Sequence, residues 1–270
     1  MEELGLDMEA LKTTFTLVHE APYLLVEIPV DRAALLAEQL AVPFRRCYLT
    51  DKTLEERHVA TSTPKAVITQ KALPDSGSVM SGDFGEILTA LFSAAREHPE
   101  GVLDPKKWRL KVERTKAAPK ADVVQFVLPE WPTPSARDRV LCAEVKTKAT
   151  KGPFTPIQKA IEGSAMDRAG RLAKTLLWLQ DRAILGDLGT VTLDQINRFV
   201  EATDYPPAQR EFRAVAVISA NLVAAETATV ALPNADECAL IVISVSDLKS
   251  TYQAVFDTIV ATAESAGAAQ

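Results

Sequence analysis

Apolar positions alternate from Asp122 to Leu128 and fill the run Val140–Thr147, with Pro129, Pro132 and Pro134 between them. This pattern predicts two strands joined as an antiparallel hairpin by a proline-rich loop. Two further apolar runs, Ala214–Ser219 and Ala239–Val245, read as strands. Residues 13–30 resemble two more, turned at Ala21-Pro22. Asp31 is a candidate cap for a helix through Ala33–Leu40, and Arg57 to Val79 is polar and irregular, broken by Pro64, Pro74 and Gly77. Ser81 and Asp83 are candidate caps for a helix from about Phe84 to Arg96, whose stripe is Phe84, Ile87, Leu88, Leu91, Phe92 and Ala95. Trp108–Val112 reads as a strand, and Gly152-Pro153 ends the hairpin unit. Helical spacing then runs from Pro156 to Ile184, around Leu193–Ala202 and over Asp247–Ala263. The expected fold is α/β, a mixed sheet flanked by helices. Its divisions are an N-terminal α+β extension at 1–76, a core at 77–264 and a tail at 265–270.

Composition is that of a globular protein: 270 residues, 47% hydrophobic and 24% charged. No apolar run approaches the roughly 20 residues of a membrane span. The start, Met1-Glu2-Glu3-Leu4, lacks the basic-then-apolar order of a signal peptide, so a cytoplasmic location without membrane attachment is expected. Cys47, Cys142 and Cys238 are few and lie mostly in apolar surroundings, which suggests buried thiols. Three scattered histidines argue against a histidine-rich metal site or a His-based triad. No Gly-rich phosphate loop is present, so NTP hydrolysis is not expected of this chain.

Charge is unevenly distributed. Residues 104–174 carry 16 Lys+Arg against 8 Asp+Glu, whereas the remainder carries 14 against 28. A basic segment in an acidic chain suggests a phosphate-binding stripe; the plainer alternative is a solvated face of mixed charge.

The chemistry concentrates at Glu144-Val145-Lys146. Residues two apart on a strand share a face, so a carboxylate and an ammonium sit together beside apolar neighbours. Asp122 opens the partner strand, where it can converge with Glu144 on one ion. Magnesium prefers such hard oxygen ligands, typically one or two carboxylates, and leaves its other positions to water and phosphate. Lys146 is placed to orient or deprotonate an attacking water and to stabilise developing charge. Glu86 would project from the preceding helix, away from its apolar stripe, to supply an outer bond or a second metal position. A glutamate in a first helical turn is otherwise an ordinary surface residue.

The order of a helix-borne Glu86, Asp122 after a basic loop, Glu-x-Lys on an apolar strand and a helix beginning near Gln158 resembles the PD-(D/E)XK nuclease core. Within that superfamily the chain resembles HamA, the nuclease subunit family of the Hachiman anti-phage defence system. The resemblance rests on Ser81-Gly82-Asp83-Phe84-Gly85-Glu86-Ile87-Leu88, Lys106-Lys107-Trp108, Lys120-Ala121-Asp122-Val123-Val124 and Ala143-Glu144-Val145-Lys146, with weaker support from Gln158–Leu179. It departs at Lys120-Ala121-Asp122, where the superfamily pattern has Pro-Asp. The resemblance implies a DNA-cutting effector dependent on Mg²⁺, with Mn²⁺ a possible substitute, and controlled by a superfamily-2 helicase (HamB-like) partner. Asp122, Glu144 and Glu86 would then bear on metal, and Lys146 would serve the nucleophile. Lys106, Lys107, Lys120, Lys148, Gln158, Arg168 and Arg171 are the expected DNA contacts; the plainer alternatives are a surface residue for Gln158 and a solvated face paired with Asp167 or Glu162 for Arg168 and Arg171. A restriction-type endonuclease and a non-catalytic helicase-binding subunit are the alternatives.

Overall fold

The computed structural model describes residues 1–263, apart from Pro119 and Thr229; the expected tail at 265–270 lies outside the described residues. A short helix α1 (Met8–Lys12), capped by the Asp7 carboxylate, precedes β1 (Thr16–His19) and β2 (Leu24–Ile28). Helices α2 (Val30–Tyr48), α3 (Asp51–Thr61), α4 (Lys65–Ala72) and α5 (Ser78–Glu97) follow. Then come β3 (Val123–Val127), β4 (Arg139–Lys148), α6 (Pro156–Met166), α7 (Leu172–Ile184) and α8 (Leu193–Val200). The chain continues through β5 (Gln209–Ser219), α9 (Ala220–Thr227), β6 (Ala239–Val245) and α10 (Leu248–Thr262).

The six strands form one mixed sheet in the order β1-β2-β6-β5-β4-β3. Its four central strands are parallel, and an antiparallel partner closes each edge: β1 on β2, and β3 on β4. Parallel strands are covered on both faces, which explains why β5 and β6 read as continuous apolar runs. One face packs Val215, Val217, Ile241 and Ile243 against Phe44 of α2, Phe84 and Leu88 of α5 and Val255 and Ile259 of α10. On the other face, Val124, Phe126 and Cys142 meet Leu172 and Leu176 of α7 and Phe199 of α8. Ala214, Ala216 and Val242 meet Ile157 and Ala160 of α6 there. β2, from residues 1–76, pairs directly with β6, and the largest core cluster draws on both sides of residue 77.

Several expected elements are corrected. Asp31 does not cap α2: Pro29 holds that position, Asp31 lies in the first turn, and the helix continues through Pro43 to Tyr48. The irregular stretch Arg57–Val79 contains the end of α3, all of α4 and the start of α5, with Pro64, Pro74 and Gly77 in the breaks. α3 buries only Leu54 and so shows no apolar stripe. Ser81 and Asp83 are interior to α5, whose cap is Gly77 at φ 120°, a conformation suited to glycine. Trp108–Val112 is not a strand, because Lys107–Leu110 forms a 3-10 turn after Lys106 enters the left-handed region.

Candidate active site

The hairpin register pairs Val123 with Ala143, which leaves Asp122 at the mouth of β3 beside Glu144. The Asp122 carboxylate is held there by the backbone N–H of Val145, which donates to Oδ2 at 2.9 Å. Ala143 and Val145 belong to the core on the α5 side and Cys142 to the core on the α7 side, so Glu144 and Lys146 face α6 and α7. The Lys146 ammonium lies 2.5 Å from Glu144 Oε1, 3.1 Å from the Val145 carbonyl and 3.4 Å from Asp122 Oδ2. Three oxygens from two adjacent strands thus surround one cation.

The second wall comes from α6 and the turn after it. Gly163 lies so close that a Cβ would overlap the Glu144 carboxylate, which makes glycine a steric requirement. Asp167–Arg171 is a π-helical turn, with Gly170 at φ 149°, and it points Arg171 back at β4. The Arg171 Nη2 bonds Glu144 Oε2 and donates to the Gly163 carbonyl at 2.9 Å, while Nε donates to Asp167 Oδ1 at 2.6 Å. Glu144, only 4% exposed, therefore carries a cation on each oxygen. Burial and the neighbouring Asp122 raise its pKa, against Lys146 and Arg171. Burial works against a charged Lys146, but Asp122 and Glu144 outweigh it and hold its pKa above the ordinary value. Lys146 is accordingly an ammonium here.

Glu86 is neither on the surface nor at the shared ammonium. It is buried mid-helix in α5, accepts from Trp108 Nε1 at 3.1 Å and pairs with Lys107 at 3.4 Å. Burial pushes its pKa up to about 8, with Asp122 and Asp83 adding to the rise and Lys107 opposing it. Lys107 also donates to the Ala121 carbonyl at 2.6 Å and so ties Glu86 to the residue before Asp122. Lys107 is thus an internal tie and not the expected phosphate contact, while Asp167, named only as a pairing partner on the Arg171 face and not as a site residue, does pair with Arg171 at i, i+4 spacing.

The other expected DNA contacts scatter. Lys106 is 1% exposed and pairs with Asp104 at 3.2 Å; Lys148 is buried on Glu226 at 2.5 Å and on the carbonyls of Gly152 and Phe154. Neither is presented to solvent. Gln158 bonds Glu162 at 3.3 Å, and Arg168 pairs with Glu237 at 2.6 Å on the surface. Lys120 is exposed. Across the basic segment most cations have carboxylate partners, including Arg109 with Glu3, Lys111 with Asp83 and Arg139 with Glu97. Among the described residues only Lys120, Lys151 and Lys174 of that segment lack one, so the segment is mainly paired rather than a continuous stripe.

Among the described residues, no three His, Cys, Asp or Glu side chains form a ready metal cage. Asp122 and Glu144, both bonded to the Lys146 ammonium, are the carboxylates that could hold a divalent ion, since magnesium typically takes one or two carboxylates and leaves its other positions to water and phosphate. Cys47, Cys142 and Cys238 are free and buried, as expected. Among the described residues no helix is long and apolar enough to cross a membrane.

No curated protein matches the chain. A protein-family model described as HamA matches residues 13–259, nearly the whole chain. The chain belongs to the HamA family, of the Hachiman anti-phage defence system.

Proposed function

We propose that this chain is a metal-dependent deoxyribonuclease of the PD-(D/E)XK type, the DNA-cutting effector of its defence system, acting under control of a helicase partner. The observation that carries this reading is the convergence of the Asp122 and Glu144 carboxylates around the partly exposed Lys146 ammonium. Asp122 and Glu144 would hold Mg²⁺, or Mn²⁺ in its place. Bound there, the ion would supply a more acidic water and neutralise charge on the phosphoryl oxygens.

The chain's own groups divide the remaining work. Lys146, charged and partly exposed, orients the attacking water and stabilises the charge that develops on phosphate. A raised pKa makes it a poor proton acceptor in this state, so electrostatic help suits it better than base catalysis. The Val145 N–H fixes the rotamer of Asp122. Glu86, enclosed by Trp108 and Lys107, acts from outside as a support for the Asp122 segment rather than as a direct ligand. The cations on both Glu144 oxygens favour a second reading, a non-catalytic subunit whose ion pairs replace metal.

Lys146→Ala separates the two. With linear double-stranded DNA, Mg²⁺ and the helicase partner, the nuclease reading expects wild type to cut and the variant to lose at least about 100-fold in rate. The variant should melt within a few degrees of wild type. Undiminished cutting by the variant, or none by wild type with its partner, sinks the proposal.

A further inference from the structure

One buried atom of the site has no role in the scheme above. Asp167 is 1% exposed; its Oδ1 accepts from Arg171 Nε, but among the described residues its Oδ2 has no N–H or O–H partner. The Cys142 thiol adjoins this carboxylate as a weak hydrogen-bond donor, but among the described residues no N–H or O–H donor reaches Oδ2. A buried carboxylate oxygen without a donor is uncommon and calls for a reason. The neighbouring guanidinium supplies one, because it is divided between two acids: Nε on Asp167 and Nη2 on Glu144. An arginine fork presents Nε and Nη2 side by side, the spacing that fits both oxygens of one carboxylate.

We infer that Arg171 is a movable counter-ion that gates cation binding at Glu144. In the closed arrangement, the one seen, Arg171 bridges Asp167 and Glu144 and blocks Glu144 Oε2. In the open arrangement Nη2 leaves Glu144 for Asp167 Oδ2, where only the weak Cys142 thiol donor competes, and the guanidinium sits side-on on Asp167. Glu144 Oε2 is then free to meet a divalent ion beside Asp122, with Lys146 still on Oε1, and the ion's charge would repel the guanidinium from Oε2. Nε need not leave Asp167, while Nη2 gives up its bonds to Glu144 and to the Gly163 carbonyl; the turn that carries Arg171 is π-helical and departs from regular helix at Gly170. The gate rests on the reading of Asp122 and Glu144 as the cation site. Asp167 and Arg171 become positioning residues that set how readily the cation enters.

The test is Mn²⁺ binding by calorimetry on the full chain, without DNA, arranged as a double-mutant cycle. Glu144→Gln should abolish the binding seen in wild type. Arg171→Gln should tighten it by about 10-fold, since the ion no longer displaces a guanidinium. Asp167→Asn should weaken it by about 10-fold, because the released Nη2 has nowhere to go. A gate couples the two positions, so adding Asp167→Asn to Arg171→Gln should change affinity by less than about 2-fold. Additive effects would mean that only local charge is felt, and the gate fails while the metal site stands. Binding indifferent to Glu144→Gln, or absent from wild type and Arg171→Gln alike, overturns the metal-site reading and the gate with it. Arg171→Met replaces the glutamine variant should that one fail to fold.

Discussion

Burial raises the Glu86 pKa to about 8, and Asp122 and Asp83 add to that rise against Lys107, so the folded chain binds this proton more tightly than the unfolded chain does. The stabilisation linked to that proton is complete below the unfolded value near 4.5 and is lost as pH climbs toward 8. Glu86→Gln keeps an acceptor for Trp108 Nε1 and removes the titration. Its stability relative to wild type, from chemical denaturation, should therefore improve by about 3–4 kcal/mol between pH 5 and pH 8. A difference that does not change with pH would mean that Lys107 fully neutralises Glu86. At this scale Asp122, Glu144 and Lys146 were legible beforehand, because strand alternation and hairpin pairing dictate which side chains meet. The position of Glu86 was not. A charged residue buried by helices from elsewhere in the chain leaves no local pattern.

The hairpin β3–β4, the parallel strands β5 and β6 and the last helix α10 were all readable, since each has an apolar pattern at its own period. α3 and α4 were not, because they bury few residues, nor was the depth of α5, which is enclosed on nearly every side from Asp83 to Ala95. That depth depends on Gly85, where a Cβ would overlap the Thr147 hydroxyl of β4. Thr147 Oγ1 is itself buried without a partner, so it gains nothing from its position. Gly85→Ala should cost about 1–3 kcal/mol by pushing α5 off the sheet. Thr147→Ala should recover most of that loss in the double variant, to be read from denaturation midpoints as a coupling energy. If the double variant is as unstable as the sum of the singles, the α5–β4 contact is not set by this pair. The π-helical turn between α6 and α7 escaped the sequence for a different reason. Its apolar spacing continues across the turn, and only Gly170 marks the irregularity.

Over the whole molecule, the basic segment and the acidic remainder turn out to be partners. Arg109 reaches Glu3, Lys111 reaches Asp83 and Arg139 reaches Glu97 and Glu211, so long-range ion pairs consume most of the charge contrast. With Lys120, Lys151 and Lys174 of that segment lacking a carboxylate partner among the described residues, and a slope of about −0.9 per neutralised phosphate, DNA binding by the isolated chain should fall with salt at a log–log slope of about −3 or shallower. Fluorescence anisotropy over a salt series measures it. A slope near −10 would require many of these pairs to open on DNA. Weak affinity of the free chain accords with an effector that a partner brings to its substrate.

Periodicity and spacing alone determined the α/β class, the hairpin, and the meeting of Asp122, Glu144 and Lys146, because those features depend on contacts between near neighbours and paired strands. Tertiary structure decided which charges are spent on one another, that Gly163 and Gly85 must be bare, and that Arg171 is shared between Asp167 and Glu144. Such outcomes depend on helices packed across the sheet from distant parts of the chain, and no local pattern encodes the distance between them.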